Sequence, residues 1–435
     1  MNKMICIERG FVPQESMMPG HHNVRVTLFL TVVTWLSGLL VDSNSFGGDW
    51  PNILGPQRNA IAVGEKLADN WPADGPRSVW EAKVGSGFAG VAVADGIAIL
   101  FHRLDDKDTF SAYDAASGKP LWSQGFATDF QPSIVDDDGP RAVPTIHKGR
   151  VYGLAAAGGL YCVDLKTGKP VWQRQTQKEF HVPAAYFGAG SAPLVEGKAL
   201  IVNVGGDKDG AGIVAFDLDT GKTAWKATSE QASYSAPLAV TLDGNRVVLC
   251  VTRLNLVSLD PATGKELART PFGQRGPTVN GATPVLAGNR LLLTASYGIG
   301  AELLDAGRNK LDVVWKDEVL SSQYTTPIVH EGAVFGIDGR QDGGPISLKC
   351  FDLESRKVHW TKPGLAYATL IAADGKLLVI HTNGTLRLAE LNKSAYRELG
   401  TAELLRGTTR ALPALANGRL YVRNESTLKC VELNE

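Results

Sequence analysis

From Val143 to Trp172 the chain reads VPTIHKGRVYGLAAAGGLYCVDLKTGKPVW. Short apolar, β-prone runs alternate with glycine-bearing polar breaks, a spacing that predicts strands joined by tight turns. Four runs are visible: one opening at Pro144, then RVYGLA, GLYCVDL and KPVWQR. The same pattern recurs around Pro193, Pro237, Pro284, Pro327 and Pro413. Four antiparallel strands in a unit of about 40–50 residues make a propeller blade.

The break between third and fourth strands carries a motif of its own. It reads YDAASGKPLW, VDLKTGKPVW, FDLDTGKTAW and FDLESRKVHW, with a Trp eight residues after an Asp each time. The residues are Asp114, Gly118 and Trp122; Asp164, Gly168 and Trp172; Asp217, Gly221 and Trp225; and Asp352 and Trp360. An Asp folds its carboxylate onto turn amides, and Gly accepts the positive φ of the turn. The Trp is read as glue on the outer strand, burying about 150–250 Å² against the turn or the next blade.

Fourth strands fall at Trp80, Trp122, Trp172, Trp225, Ala268, Trp315, Trp360 and Glu398, which makes eight blades. Trp80 has no three strands before it, and the C-terminal STLKCVELNE ends on a third strand with no fourth. The expectation is an all-β, eight-bladed propeller over 78–435, closed by pairing the C-terminal strands with the strand near Trp80. Closure also removes open sheet edges.

The first fifty residues read differently from the rest. Arg25 precedes an apolar run from Val26 to Val41, followed by small and polar residues. That is short for a membrane span and suits a signal peptide. We expect a signal peptide over 1–45, cleaved near Ser45, with an uncleaved anchor as the alternative, and a lead-in segment over 46–77. Met17 or Met18 is the alternative start. The chain is therefore read as exported, to the periplasm or cell envelope, with membrane contact only through a retained leader.

Charge narrows the partners. Lys and Arg number 44 against 45 Asp and Glu, which argues against a nucleic-acid binder. Of five cysteines, Cys162, Cys350 and Cys430 share one repeat position, two before the acid, where Ala112 and Ala215 stand elsewhere. They are read as small buried strand residues rather than disulfide partners.

The repeat resembles the Trp-docking repeat of the pyrroloquinoline quinone-like propellers. That superfamily includes the quinoprotein alcohol dehydrogenases and the outer-membrane assembly propeller, the B component of the β-barrel assembly machinery. The likeness covers about four fifths of the chain. The segment from Asp49 to Trp80 is similar to the lead-in of bacterial exported quinone-binding-like repeat proteins. The resemblance implies the fold, and both enzymes and scaffolds carry it.

Loops entering the inner strands rim the channel. Aligned on Val91, Pro144, Pro193, Pro237, Pro284, Pro327, Leu370 and Pro413, the position three residues earlier holds Phe88, Arg141, Gly190, Tyr234, Gly281, Tyr324, Tyr367 and Arg410. Guanidinium and aromatic faces suit an anionic or flat ligand; the alternative is that they plug the mouth. Asn280 and His181 are secondary candidates from neighbouring loops.

Other motifs carry less. GSGFAG, Gly85 to Gly90, leads into a strand rather than a helix, so its glycines are read as letting backbone pass close over the rim, not as a nucleotide site. The acidic loops LDDKD, VDDDG and GGDKDG lack calcium-loop spacing and are read as solvated turns. The eight histidines show no zinc spacing, and no nucleophile elbow is present.

The leading reading is an exported, monomeric, non-catalytic propeller that binds or scaffolds. Its partner is an envelope protein or a small anionic ligand. No metal and no cofactor is expected under this reading. The resemblance supplies the alternative, a quinone-dependent oxidoreductase with pyrroloquinoline quinone over calcium. Against it, the chain has no adjacent cysteine pair and its loops are short. A carbohydrate-related binding or cleaving role is the second alternative.

Overall fold

The computed structural model describes residues 48–434 other than 73, 135, 184–186, 209, 277 and 279. The expected leader and Cys6 lie outside them. The described chain forms eight antiparallel sheets. In chain order, blade 1 runs from Val91–Ala94 to Pro120–Ala127, blade 2 from Thr145–His147 to Pro170–Gln175, and blade 3 from Leu194–Glu196 to Thr223–Ala227. Blade 4 runs from Leu238–Leu242 to Glu266–Pro271, blade 5 from Val285–Ala287 to Lys310–Asp317, and blade 6 from Ile328–His330 to Val358–Pro363. Blade 7 runs from Ala368–Ala373 to Glu398–Glu403. Blade 8 takes three strands from the end of the chain and its outer strand, Ser78–Lys83, from the beginning.

That closure is the one the strand count demands. Trp80 stands opposite Cys430 and Lys83 opposite Thr427. All eight anticipated outer-strand positions lie in outer strands, and the one described helix is a single turn, Thr176–Glu179.

The Asp-to-Trp spacing has two physical causes. Within a turn, one Asp164 oxygen accepts the Thr167 N–H at 2.9 Å and its hydroxyl at 2.8 Å. Asp114, Asp217, Asp260 and Asp352 repeat this with Ser or Thr three residues on. These donors hold the Asp164 carboxyl below the usual range, the Thr167 hydroxyl contributing most. Between blades, the Trp122 indole donates to Leu165 O at 2.9 Å, and Trp172 to Leu218 O at 2.9 Å, each in the following blade's turn. A Cβ on Gly168 would stand 2.4 Å from Trp122 Cε3, so glycine is required by contact as well as by its φ of +70°.

The cysteine slot is explained by register. Cys162, Cys350 and Cys430 lie opposite Trp172, Trp360 and Trp80, as Ala112 and Ala215 lie opposite Trp122 and Trp225. All three are buried free thiols, as is Cys250. A small residue leaves room for the indole across the strand.

Candidate functional site

The propeller has two unlike mouths. On one face lie the Asp turns and the turns linking first to second strands. On the other, each outer strand crosses over to the next inner strand.

The lead-in covers the centre of the first mouth and leaves a cavity of about 570 Å³ between Pro51, Asn52, Gln57 and Asn59 and the inner strands of blades 2 to 5. Trp50 exchanges two backbone bonds of 2.8 Å with Val93 in blade 1, and Ile146 of blade 2 donates to Pro51 O at 2.7 Å. Ile61–Ala62 adds a parallel strand inside blade 7, and Glu65 accepts the Asn417 and Gly418 N–H groups of blade 8. Ile53, Leu54 and Ala60 share one buried cluster with Val143, Ala192, Ala236, Ile328 and Tyr367. Those five belong to blades 2, 3, 4, 6 and 7 and meet only around the axis. Arg58 follows them in: it donates to Pro237 O at 3.0 Å and to Pro193 O, and is 4% exposed. Burial pushes its guanidinium down to about 9, and among the described residues no carboxylate pairs with it. The lead-in, expected as a segment apart from the propeller, thus packs into its centre.

At the crossover mouth the aligned rim positions do come together, mostly against one another. Phe88 lies between two cations, with Arg410 4.7 Å and Arg141 5.6 Å from its ring centre. Tyr324 and Tyr367 pack at 4.5 Å. Tyr367 is 1% exposed, and its phenol oxygen accepts the Tyr324 and Thr325 N–H groups at 2.8 and 3.0 Å. Burial pushes both phenols up, Tyr324 strongly. Arg141 is tied to Asp137 and to Gly139 O, and burial lowers its pKa despite that carboxylate. Asn280 is buried: its side-chain Nδ2 donates to Thr252 O and Arg253 O at 3.2 Å, and its backbone carbonyl accepts the Tyr234 and Ser235 N–H groups. His181 is exposed in the connection from blade 2 to blade 3.

Two loop readings need correction. Asp108 of LDDKD is not solvated: it is 1% exposed and pairs with buried Arg103 at 3.3 Å. Burial raises its carboxyl to about 6. In VDDDG, Asp137 accepts the Gly87 N–H and Asp138 the Ser86 hydroxyl, both at 2.7 Å. The acids fix the GSGFAG loop, whose glycines do pass close: a Cβ on Gly90 would stand 2.1 Å from Leu412 O.

Beside this rim, over blades 2 to 6, the crossover face holds a cavity of about 660 Å³. Tyr234, Phe187, Leu254, Arg253, Arg275 and Tyr297 are among its walls. Of the sequence candidates only Tyr234 lines it. Arg340 and Asp342 lie at its edge, joined by two bonds of 2.8 Å. Asn203, 2% exposed, also lines it and has a side-chain oxygen without a partner.

A quinone carried over calcium does not fit these residues. Calcium takes six to eight oxygens, typically with several carboxylates. Among the described residues the cavity offers one carboxylate, Asp342, already held by Arg340. No group of three His, Cys, Asp or Glu side chains among the described residues is placed to hold a metal. The axis itself is filled by Ile53, Leu54 and Arg58.

Eight sheets, six of their junctions locked by a Trp docked on the next blade's turn, and closed by pairing Ser78–Lys83 with Thr427–Glu432, define a quinoprotein-type propeller. The chain belongs to the family whose model is described as outer membrane protein assembly factor BamB, which matches residues 72–185 and 111–362. Over 124 residues it is 35% identical to quinohemoprotein alcohol dehydrogenase ADH IIB of Pseudomonas putida, covering 26% of this chain and 16% of that protein. Over 146 residues it is 28% identical to the assembly factor BamB of Xanthomonas campestris pv. campestris, covering 30% of this chain and 34% of that protein. The chain thus spans about a sixth and a third of the lengths of these two curated relatives. Among solved structures, BamB from Moraxella catarrhalis superposes with a TM-score of 0.58 at 18% identity, over 82% of this chain and 97% of that one. A europium-containing methanol dehydrogenase reaches 0.64 at 12% identity, over 86% and 89%. At these identities the superpositions establish the fold alone.

Proposed function

We propose that the protein is an exported, non-catalytic propeller that binds or scaffolds in the cell envelope, with an envelope protein or an anionic ligand as partner. One observation carries this reading: the axis is filled from one mouth by Ile53, Leu54 and Arg58, and at the other the aromatic and cationic rim packs on itself. A filled axis leaves the two faces, the eccentric crossover cavity and the cavity beside the lead-in as the working surfaces.

A quinone-dependent oxidoreductase is the competing reading, supported by the identity to quinoprotein alcohol dehydrogenases. One experiment separates them. The purified full-length protein is supplied with calcium and pyrroloquinoline quinone, and absorbance comigrating with protein and dye reduction by alcohols are followed. Stoichiometric capture with turnover overturns the binding-module reading. In parallel, crosslinking in intact cells is expected to retain a specific envelope partner.

A further inference from the structure

Strands Ala333–Arg340 and Gly343–Asp352 of blade 6 form a hairpin whose turn is Arg340 to Gly343. It reaches across the crossover mouth to the connection between blades 7 and 8. There the side-chain oxygen of Gln341 accepts two bonds, from the Tyr324 phenol at 2.7 Å and from Arg410 Nε at 2.8 Å. The Gln341 N–H is held in turn by the Gln323 side-chain oxygen at 2.8 Å.

Arg410 differs from the other rim cation. Arg141 has Asp137, whereas no carboxylate among the described residues lies within ion-pair distance of Arg410, which rests on Phe88. The hairpin's own acid, Asp342, is taken by Arg340, which also stacks 4.3 Å over the Tyr297 ring. Two donors, one of them cationic, thus converge on a single neutral amide oxygen beside an aromatic wall. A carboxylate matches that donor pair better, since charge-assisted bonds are shorter and about twice as strong as neutral ones. The hairpin tip is exposed, and a Cβ on Gly343 or Gly344 would meet nothing within 4 Å.

We propose that Tyr324, Arg410 and Phe88 form a carboxylate-binding site which Gln341 occupies as a built-in stand-in, and that a carboxylate ligand displaces the hairpin to enter. This rests on the binding-module reading and gives its ligand a chemistry. Removing the stand-in frees the site without touching its donors. Placing a carboxylate on the hairpin fills it permanently.

The test is calorimetric titration of the full chain with benzoate, and with an amidated tetraglutamate peptide. Benzyl alcohol and tetraglutamine serve as neutral matches. A carboxylate probe is expected to bind and its match not to. Gln341→Ala should tighten binding about tenfold by removing the competitor, and Gln341→Glu should abolish it. Hydrogen exchange of Gly339 to Gly344 should rise when the probe binds to the unsubstituted protein. Binding by benzoate alone assigns the site to small acids, and binding by tetraglutamate alone assigns it to an acidic protein segment; either supports the site. Arg410→Gln should also abolish binding, and if that variant does not fold, the two Gln341 variants decide. Equal affinity in the Ala and Glu variants, binding of the neutral matches, or no binding in any variant overturns the proposal. Quinone turnover would overturn the binding-module reading and leave the Gln341 series readable. A flat Gln341 series beside a crosslinked partner would sink this site alone.

Discussion

The Trp172 indole lies so close to the α-carbon of Gly221, one blade on, that a Cβ there would stand 2.6 Å from Trp172 Cδ2. Gly221 also holds a φ of +67°. Gly221→Ala therefore meets two penalties, about 1–2 kcal/mol for the left-handed backbone and about 1–3 kcal/mol for overpacking. Gly149, at φ +71° with open space where its Cβ would be, is the control that meets only the first. Urea unfolding of the two alanine variants should differ by the overpacking cost alone. Equal losses would mean that the indole yields freely.

The same contact explains where the repeat lapses. Trp225 docks on Pro261 O and Trp315 on Leu353 O, each in a closed turn of the next blade. Ala268 of blade 4 faces blade 5, where the strands Gly300–Gly307 and Lys310–Asp317 are joined by a tight turn with no Gly seat. Instead, Ala268 packs with Ala306 and Leu311. Ala268→Trp, though it restores the repeat letter, should destabilise by roughly 1–3 kcal/mol. A gain in melting temperature would show that the indole needs no seat.

Strand order, blade number and closure were legible because each is written several times over: a lapse such as Glu398 is recognised against its copies. The two features that shape the mouths were not legible. Residues 49–67 occur once, and Arg58 meets Pro237 across 179 positions, so no local pattern announces the contact. The Gln341 hairpin reaches Arg410 across 69 positions. The rim alignment put Phe88, Arg141 and Arg410 together correctly. It could not say that Tyr367 is sealed beneath Tyr324, because burial depends on what the lead-in places below.

Arg58 supplies the test of that lead-in. Arg58→Ala removes two bonds to Pro237 O and Pro193 O and opens a void beside Leu54 and Ala60. A loss of roughly 2–4 kcal/mol is expected. Amide exchange should quicken at Ala372, which donates to Ala60 O at 2.9 Å, and stay slow at Trp172 in blade 2. Uniform quickening would instead mean that the lead-in and the blades unfold together.

His102 predicts an acid response. It accepts the Gly85 N–H at Nδ1, 2.8 Å, and sits 2.9 Å from the Ser111 hydroxyl at Nε2. Burial, and then the charge of Arg423, push its imidazole down to about 3. A depressed folded pKa means stability that is present above the unfolded value of about 6.5 and lost as pH falls toward 3, on the order of 5 kcal/mol at most. The Asp turns, whose folded values are also depressed, act only below about pH 4. Asp108, raised to about 6, acts with the opposite sign between about pH 4 and 6. The wild type minus His102→Asn difference removes both, and should fall steadily from pH 6.5 downward. A difference independent of pH would mean that the imidazole is protonated in the fold.

Closure is the last prediction, and it concerns both chain ends. Thr427–Glu432 lies between Arg419–Arg423 and Ser78–Lys83, so every blade 8 bond to the N-terminal strand runs through it. Leu433 accepts from Ala68 at 2.8 Å and donates to Gly418 O at 2.7 Å, and Arg77 Nε reaches Glu432 at 2.8 Å. Deleting residues 424–435 leaves two open edges and strips the Trp80 indole of Cys430 across the strand. The truncated chain should associate through those edges, seen as a loss of the monomer peak on size exclusion. A synthetic peptide spanning 424–435, added during refolding, should restore that peak by filling the missing strand. If the truncated protein stays monomeric with an unchanged melting temperature, the ring is held by its other seven junctions and not by the joined ends.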